Sequence, residues 1–325
     1  MGTRLKRPRR LSSWRRIALH AWDDPRDPSV YSILNLNIRR TLSYLEQCST
    51  VAPGVSVTVT HVVVKAIATA LAAHPQCNGL IARRRVFLRE NADVYCQVAT
   101  DGGRDLSGLK ICRADAKSVV DIAQELAVGA AAVKRHEDPA SGATIRLVTL
   151  MPHALLRPFL RLVGYLTYGF GLDLSRLGIA YDQFGGAMVS NVGMFGADNA
   201  LAPLVPPTRA PIVLLIGAIE DRPVVEDGRV AVAPCITIGG TFDHRLFDGF
   251  QAAAMYRIVK RAVEDPFSAF GLPERPSSIG ALANRPDEND RDPSGIGCKD
   301  RRPGFLREED RGQEVSRPAR REDPG

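Results

Sequence analysis

The chain has 325 residues, 45% hydrophobic and 24% charged, with a formal net charge of +7. That length supplies one large domain or two small ones with ample material for a core, in proportions ordinary for a soluble globular protein. Six cysteines (Cys48, Cys77, Cys96, Cys112, Cys235, Cys298) form no C-x-x-C pair, which argues against a zinc site or a disulfide framework and for reduced thiols in a cytoplasmic chain.

The charge is unevenly placed. The first 16 residues hold seven basic side chains and no acid, whereas the last 55 carry 11 basic against 12 acidic. No nucleic-acid fold signature accompanies the basic arm of residues 1–15, so it reads as a solvated tail and no nucleic-acid partner is expected. Trp14-Arg-Arg-Ile-Ala-Leu-His20 is broken by charge, so no secretory h-region follows it.

Val30 to Ile38 alternates partly and reads as a strand, followed by a short helix from Arg39 to Gln47. Val59, Val62, Val63, Ala66, Ile67, Ala70 and Leu71 put one broad apolar face on a helix over Val57–Ala73, which Pro75 stops. Three strands are expected at Arg85–Arg89, Ala92–Thr100 and Leu109–Cys112, with a turn at Asp101-Gly-Gly-Arg104. Ser118–Arg135 reads as an Ala-rich amphipathic helix with Asp115 or Ser118 available to cap it.

Residues 139–182 contain the long apolar run Ala154–Leu172, interrupted by Arg157, Pro158 and Arg161. A membrane-spanning helix needs about 20 apolar residues; a helical hairpin or lid packed on the domain is the preferred reading. A membrane-surface helix through 152–172 is the alternative, because arginine among Leu, Phe and Tyr is what such helices use. Further on, Ile212–Ile219 and Pro223–Ala233 are apolar runs, and Glu226-Asp-Gly-Arg229 is a hairpin signal. From Gly271 the periodicity ends, and the tail of residues 271–325 is expected to be disordered. No internal repeat is apparent.

The hairpin's second arm runs through Val230–Ile238 into Gly-Gly-Thr-Phe-Asp243-His244-Arg245-Leu-Phe-Asp248-Gly249, and a helix from Gln251 to Glu264 follows. His244 and Asp248 thus sit where a strand breaks into a helix. A buried imidazole beside a carboxylate and an arginine suits a general base, since histidine's ordinary pKa of about 6.5 lies near neutrality. By spacing alone, a satisfied structural histidine is the commoner reading of such a residue, and the motif is weak.

Asp243-His-Arg-Leu-Phe-Asp-Gly249 resembles the D-H-R-x-x-D-G signature of the dihydrolipoamide acyltransferases, the catalytic domains of 2-oxoacid dehydrogenase complexes. Ala187-Met-Val-Ser-Asn-Val-Gly-Met-Phe-Gly196 is similar to that family's T-I-S-N-L-G-M-F-G. Lys65–Asn78 resembles its K-A-x-x-x-A-L-x-x-x-P-x-x-N, and Pro206-Pro207 its double-proline region. The resemblance runs in the same order over residues 10–270, apart from the insertion at about 139–182. It implies an α/β fold: a two-layer, chloramphenicol acetyltransferase-like sandwich with a mixed β-sheet and packed helices, spanning residues 16–270.

The resemblance also implies roles. His244 would be the general base that deprotonates a thiol, and Ser190 the hydroxyl that stabilises the oxyanion. Asp248 would pair with an arginine and steady the histidine loop, rather than relay protons. Trp14-Arg-Arg16 resembles the W-x-R of the chloramphenicol enzymes, which makes Arg16 the candidate partner. Asp243, Arg245, Gly249 and Asn191 complete the two motifs as supporting residues, and no metal is implied. Coenzyme A would be a substrate. The expected assembly is a homotrimer in which serine and histidine come from adjacent chains. No lipoyl attachment site is expected ahead of Arg16, so a lipoyl-bearing protein would act in trans, or the acceptor would be another small molecule. Two other readings stay open: a condensation-type O- or N-acyltransferase, and a non-catalytic trimeric scaffold or membrane-surface assembly protein.

Overall fold

The computed structural model describes residues 28–82, 85–100, 105–134, 153–170, 172, 174 and 182–276. The expected basic arm, the turn at 101–104, residues 139–152 and the tail beyond 276 lie outside these. In chain order the elements are β1 (Ser29–Asn37), α1 (Arg39–Val51), α2 (Val59–Ala73), β2 (Gly79–Ala82), β3 (Arg85–Leu88), β4 (Val94–Thr100), β5 (Asp105–Ile111) and α3 (Val119–Lys134). There follow α4 (His153–Gly164), β6 (Ala187–Asn191), β7 (Ile212–Ile216), β8 (Glu220–Glu226), β9 (Arg229–Asp243), α5 (Gly249–Glu264) and α6 (Pro266–Phe270).

A mixed sheet in the order β1-β9-β7-β6-β4-β5 organises the chain, with β8 hairpinned onto β9. β4, β6 and β7 run parallel to one another, while β9 and β5 run against their neighbours. β2 and β3 form a separate hairpin that the sequence reading gave only as the second strand. The β8–β9 turn is built at Asp227 (φ 50°) and Gly228 (φ 76°), the two positive φ values that Asp-Gly supplies in a tight hairpin.

Period-two alternation divides the side chains of central strand β7 between two packing layers. Ile212, Leu214 and Ile216 enter the main core with Ile67, Leu71, Ile122 and Met255 from the helices. Val213 and Leu215 face the other way, onto a smaller cluster with Tyr95, Met188 and the loop residues Ala200, Ala202 and Leu204. That loop crosses the sheet at two glycines. A Cβ on Gly239 would run into the Ala200 carbonyl, and one on Gly217 into the Asp198 carbonyl. The sheet is therefore covered by helices on one face and by residues 197–204 on the other.

The helices begin where side chains satisfy their free N–H groups. The Ser118 hydroxyl accepts from the Asp121 N–H at 3.0 Å, and the Asp121 carboxylate accepts from the Ser118 N–H at 3.3 Å, a reciprocal cap on α3. At α2, the Thr58 N–H donates to His61 Nδ1 at 2.8 Å. Cys48, Cys77, Cys96 and Cys235 are free and buried.

Burial lowers the His61 pKa to about 4, below its unfolded value of about 6.5. Between those values the unfolded chain binds a proton that the folded chain refuses, because burial disfavours the charged ring. Stability should therefore fall as pH drops from about 6.5 to 4, by up to about 3 kcal/mol from this group. Urea unfolding across that window checks it: His61→Gln should flatten the wild-type slope, and an unchanged slope would assign the acid sensitivity elsewhere.

Candidate active site

β9 ends at Asp243 and α5 begins at Gly249, so the intervening residues must reverse the chain within one turn. The Asp243 carbonyl accepts from the N–H groups of Leu246 (2.9 Å) and Phe247 (3.2 Å), closing that turn. The Asp243 carboxylate is nearly buried and accepts from the Arg245 backbone N–H (3.0 Å), Nε (2.9 Å) and Nη2 (2.6 Å). This two-pronged, charge-assisted pairing ties the arginine back onto the turn. Phe247 is buried edge-on against Phe242, with ring centroids 5.7 Å apart, and Leu246 packs over Gly79 of β2.

His244 is held at both ends. Its backbone N–H donates to the Pro28 carbonyl at 2.8 Å, and its ring Nδ1 lies 2.7 Å from the Phe247 carbonyl oxygen. A carbonyl only accepts, so Nδ1 carries a proton, and the tautomer this selects in the uncharged ring leaves the lone pair on Nε2. Where the sequence suggested a buried imidazole, the single chain leaves His244 exposed. The turn consists of residues that fold back on themselves, and among the described residues none buries the ring.

Asp248 is the N-cap of α5. Its carboxylate accepts from the Phe250 N–H (2.9 Å) and the Gln251 N–H (3.2 Å), and the Gln251 side chain accepts from the Asp248 N–H (3.0 Å). This capping box fixes the entry of the helix directly after the histidine. Arg16, the expected partner of Asp248, lies outside the described residues. Gly249 opens α5 with open space where a Cβ would stand.

Ser190 is half-buried near the end of β6, on the face that carries Met188 rather than the α2 face. Its neighbour Asn191 points to the helices, where its side-chain amide donates to Thr60 Oγ1 at 3.0 Å and its oxygen accepts from the Met194 N–H at 3.3 Å. Thr60 follows the Thr58 cap on α2, so the α2 N-terminus helps to hold the serine-bearing strand end.

The sheet register keeps Ser190 and His244 of one chain apart. Ser190 lies opposite Leu215, and Leu215 opposite Gly239, because β9 runs against β6 and β7. His244 is five residues beyond Gly239, at the other end of the sheet. At about 3.3 Å per residue that is ~17 Å along the strands, with two strand spacings of about 4.8 Å added across them. Neither side chain spans that gap.

Sequence reasoning did not find the buried charges beneath the histidine turn. The Arg89 guanidinium grips Asp182 through Nε and Nη2, both at 2.6 Å, and donates to the Gly79 carbonyl at 2.5 Å. Lys110 Nζ lies 3.8 Å from the Asp93 carboxylate and donates to the Asp182 carbonyl at 3.1 Å. Burial pushes the Asp182 carboxyl up, but the charge and hydrogen bonds of Arg89 outweigh it and hold the pKa below the ordinary carboxylate value. Burial pushes the Asp93 carboxyl up. Gly79 links this cluster to Leu246, and so to the turn that carries His244.

The family described as 2-oxoacid dehydrogenases acyltransferase (catalytic domain) matches residues 21–146 and 179–270. The dihydrolipoyllysine-residue acetyltransferase component of the pyruvate dehydrogenase complex of Zymomonas mobilis is 26% identical over 79% of this chain and 50% of its own length. The mitochondrial dihydrolipoyllysine-residue succinyltransferase component of the 2-oxoglutarate dehydrogenase complex of Bos taurus is 36% identical over 38% of this chain and 29% of its own. The chain thus spans half the length of one curated relative and less than a third of the other. Among solved structures, a probable dihydrolipoamide acetyltransferase from Listeria monocytogenes shares the fold at a TM-score of 0.55 and 19% identity, covering 80% of this chain and 94% of that one. The cubic core of the pyruvate dehydrogenase multienzyme complex does so at 0.55 and 18%, covering 75% and 84%. With the match extending over well more than half of its residues, including both the serine strand and the histidine turn, the chain belongs to the 2-oxoacid dehydrogenase acyltransferase catalytic-domain family.

Proposed function

We propose that the chain transfers acyl groups between coenzyme A and a dihydrolipoamide-type thiol, at sites completed between neighbouring chains. His244 Nε2 takes the proton from the incoming thiol. A free thiol of pKa about 8.5 is only a few per cent ionised at neutral pH, so a positioned base increases the reactive thiolate. The thiolate attacks the thioester carbonyl, and the resulting oxyanion accepts a hydrogen bond from the Ser190 hydroxyl. Collapse of the tetrahedral intermediate expels the second thiolate, which takes the proton back from the imidazolium.

The observation that carries this reading is the separation of His244 and Ser190 within one chain. Exposed apolar side chains flank both half-sites: Val30, Tyr31 and Ile33 on edge strand β1 beside the histidine turn, and Met194 and Phe195 just after the serine. Such surfaces suit burial against another copy. A homotrimer with each serine facing a neighbour's histidine is the arrangement proposed. A lipoyl-bearing domain supplies the thiol, and the four free cysteines among the described residues fit a cytoplasmic location.

His244→Ala should abolish release of coenzyme A in an acyl-transfer assay without unfolding the protein. Ser190→Ala should slow it by about 100- to 1,000-fold. Mixing the two inactive variants should restore activity, because a site that takes its histidine from one chain and its serine from another is intact in about a quarter of random pairings. Refolding the variants together and assaying turnover checks this; no recovery would contradict the split site.

Asp248 acts through the α5 cap. Asp248→Ala should cost about 1 kcal/mol of stability, while Asp248→Asn, which keeps the accepting oxygen, should cost little. Urea denaturation distinguishes the two; a large loss in the Asn variant would mean that the charge itself is paired.

A further inference from the structure

The family match passes over residues 147–178. Within that gap stand α4 and the π-helical turn Tyr165–Gly169. One side of this element is tied to the body. The Arg209 guanidinium lies 5.6 Å from the centre of the Tyr168 ring and donates to the Ile81 carbonyl of β2 at 3.0 Å; Thr167 is buried. The Leu172 N–H donates to the Leu166 carbonyl at 3.2 Å, closing the end of the turn.

The other side is apolar and open. Leu155, Pro158 and Leu162, with Tyr165 one turn on, recur at spacings of three and four, within one arc of roughly 80° on a helix. Leu155, Leu162, Tyr165 and Phe170 are each more than half exposed, and Tyr165 stacks edge-on against Phe170 with centroids 5.1 Å apart. So many large side chains on one short element form a patch rather than scattered exposure. Its charge is one-sided: from Pro139 to Leu172 the sequence holds no aspartate or glutamate, but contains Arg146, Arg157 and Arg161. Arg161 is exposed beside the stripe.

A second copy of the element would bring no acid to pair with Arg161, since residues 139–172 contain none. An anionic bilayer supplies both an apolar layer for the stripe and negative headgroups for the arginines. Among the described residues, no helix is long and apolar enough to cross a membrane. We infer that α4 and the turn after it dock the chain in the plane of an anionic lipid surface. This inference is independent of the acyl-transfer reading. The element is also connected to the site: Arg209 binds β2, whose Gly79 packs against Leu246 next to His244.

The test is flotation of the full chain with phosphatidylglycerol–phosphatidylcholine vesicles and with pure phosphatidylcholine vesicles. Binding should require phosphatidylglycerol and weaken in about 0.5 M salt, where charge is screened within a few ångströms. The exposed-site double variant Leu155→Glu/Leu162→Glu should bind at least tenfold more weakly at an unchanged Tm. Arg161→Ala should weaken binding about fivefold. Absence of wild-type binding would overturn the inference. So would undiminished binding by the double variant, which would assign lipid contact to the basic N-terminal residues. Loss of the variant's oligomer by mass photometry would identify the stripe as a contact between copies and would overturn it as well.

Discussion

The antiparallel register of β9 against β7 is the constraint on which the functional reading depends. It aligns Gly239 with Leu215 and, through the parallel β6–β7 pair, with Ser190. Once that row is fixed, the turn after Asp243 must emerge at the opposite end of the sheet. A one-residue slip would turn Ile236 and Ile238 out of the main core, so the register is enforced by burial on the helix-covered face. The close crossing of residues 197–204 over Gly217 and Gly239 adds a second lock from the other face.

At the histidine end, the fold supplies orientation. The Phe247 carbonyl selects one tautomer, Asp243 and Arg245 tie the turn on one side, and Asp248 starts α5 on the other. The Arg89–Asp182 pair supports the turn from below through Gly79 and Leu246. Breaking one partner of a buried pair typically costs about 3–5 kcal/mol, whereas an exposed pair contributes at most about 1. The buried Arg89–Asp182 pair is therefore the larger structural commitment. Arg245, more than half exposed, shapes the turn at lower cost.

Local patterns made much of this legible in the sequence. The apolar stripe of α2, the Asp-Gly hairpin and the passage from strand through His244 into α5 each depend on residues a few positions apart. The D-x-x-Q cap at Asp248–Gln251 was equally local, but the family resemblance drew attention to an arginine partner instead. The cap on α2 went unseen because His61 occupies the position where Glu or Gln would announce a capping box. Other features depend on distant partners. Arg89 and Asp182 are 93 positions apart, and no periodicity links them. β5 begins at Asp105 with Asp-Leu-Ser-Gly, which reads as loop; pairing with β4 makes it a strand. The exposure of His244 follows from the tertiary path of the turn, which a motif does not encode.

The central claim is that one chain holds only half of each site. Turnover per chain, measured across a dilution series alongside mass photometry of the same samples, tests it most directly. Activity should rise and fall with the oligomer and vanish in the monomer. A monomer that transfers acyl groups at the full rate per chain would contradict it.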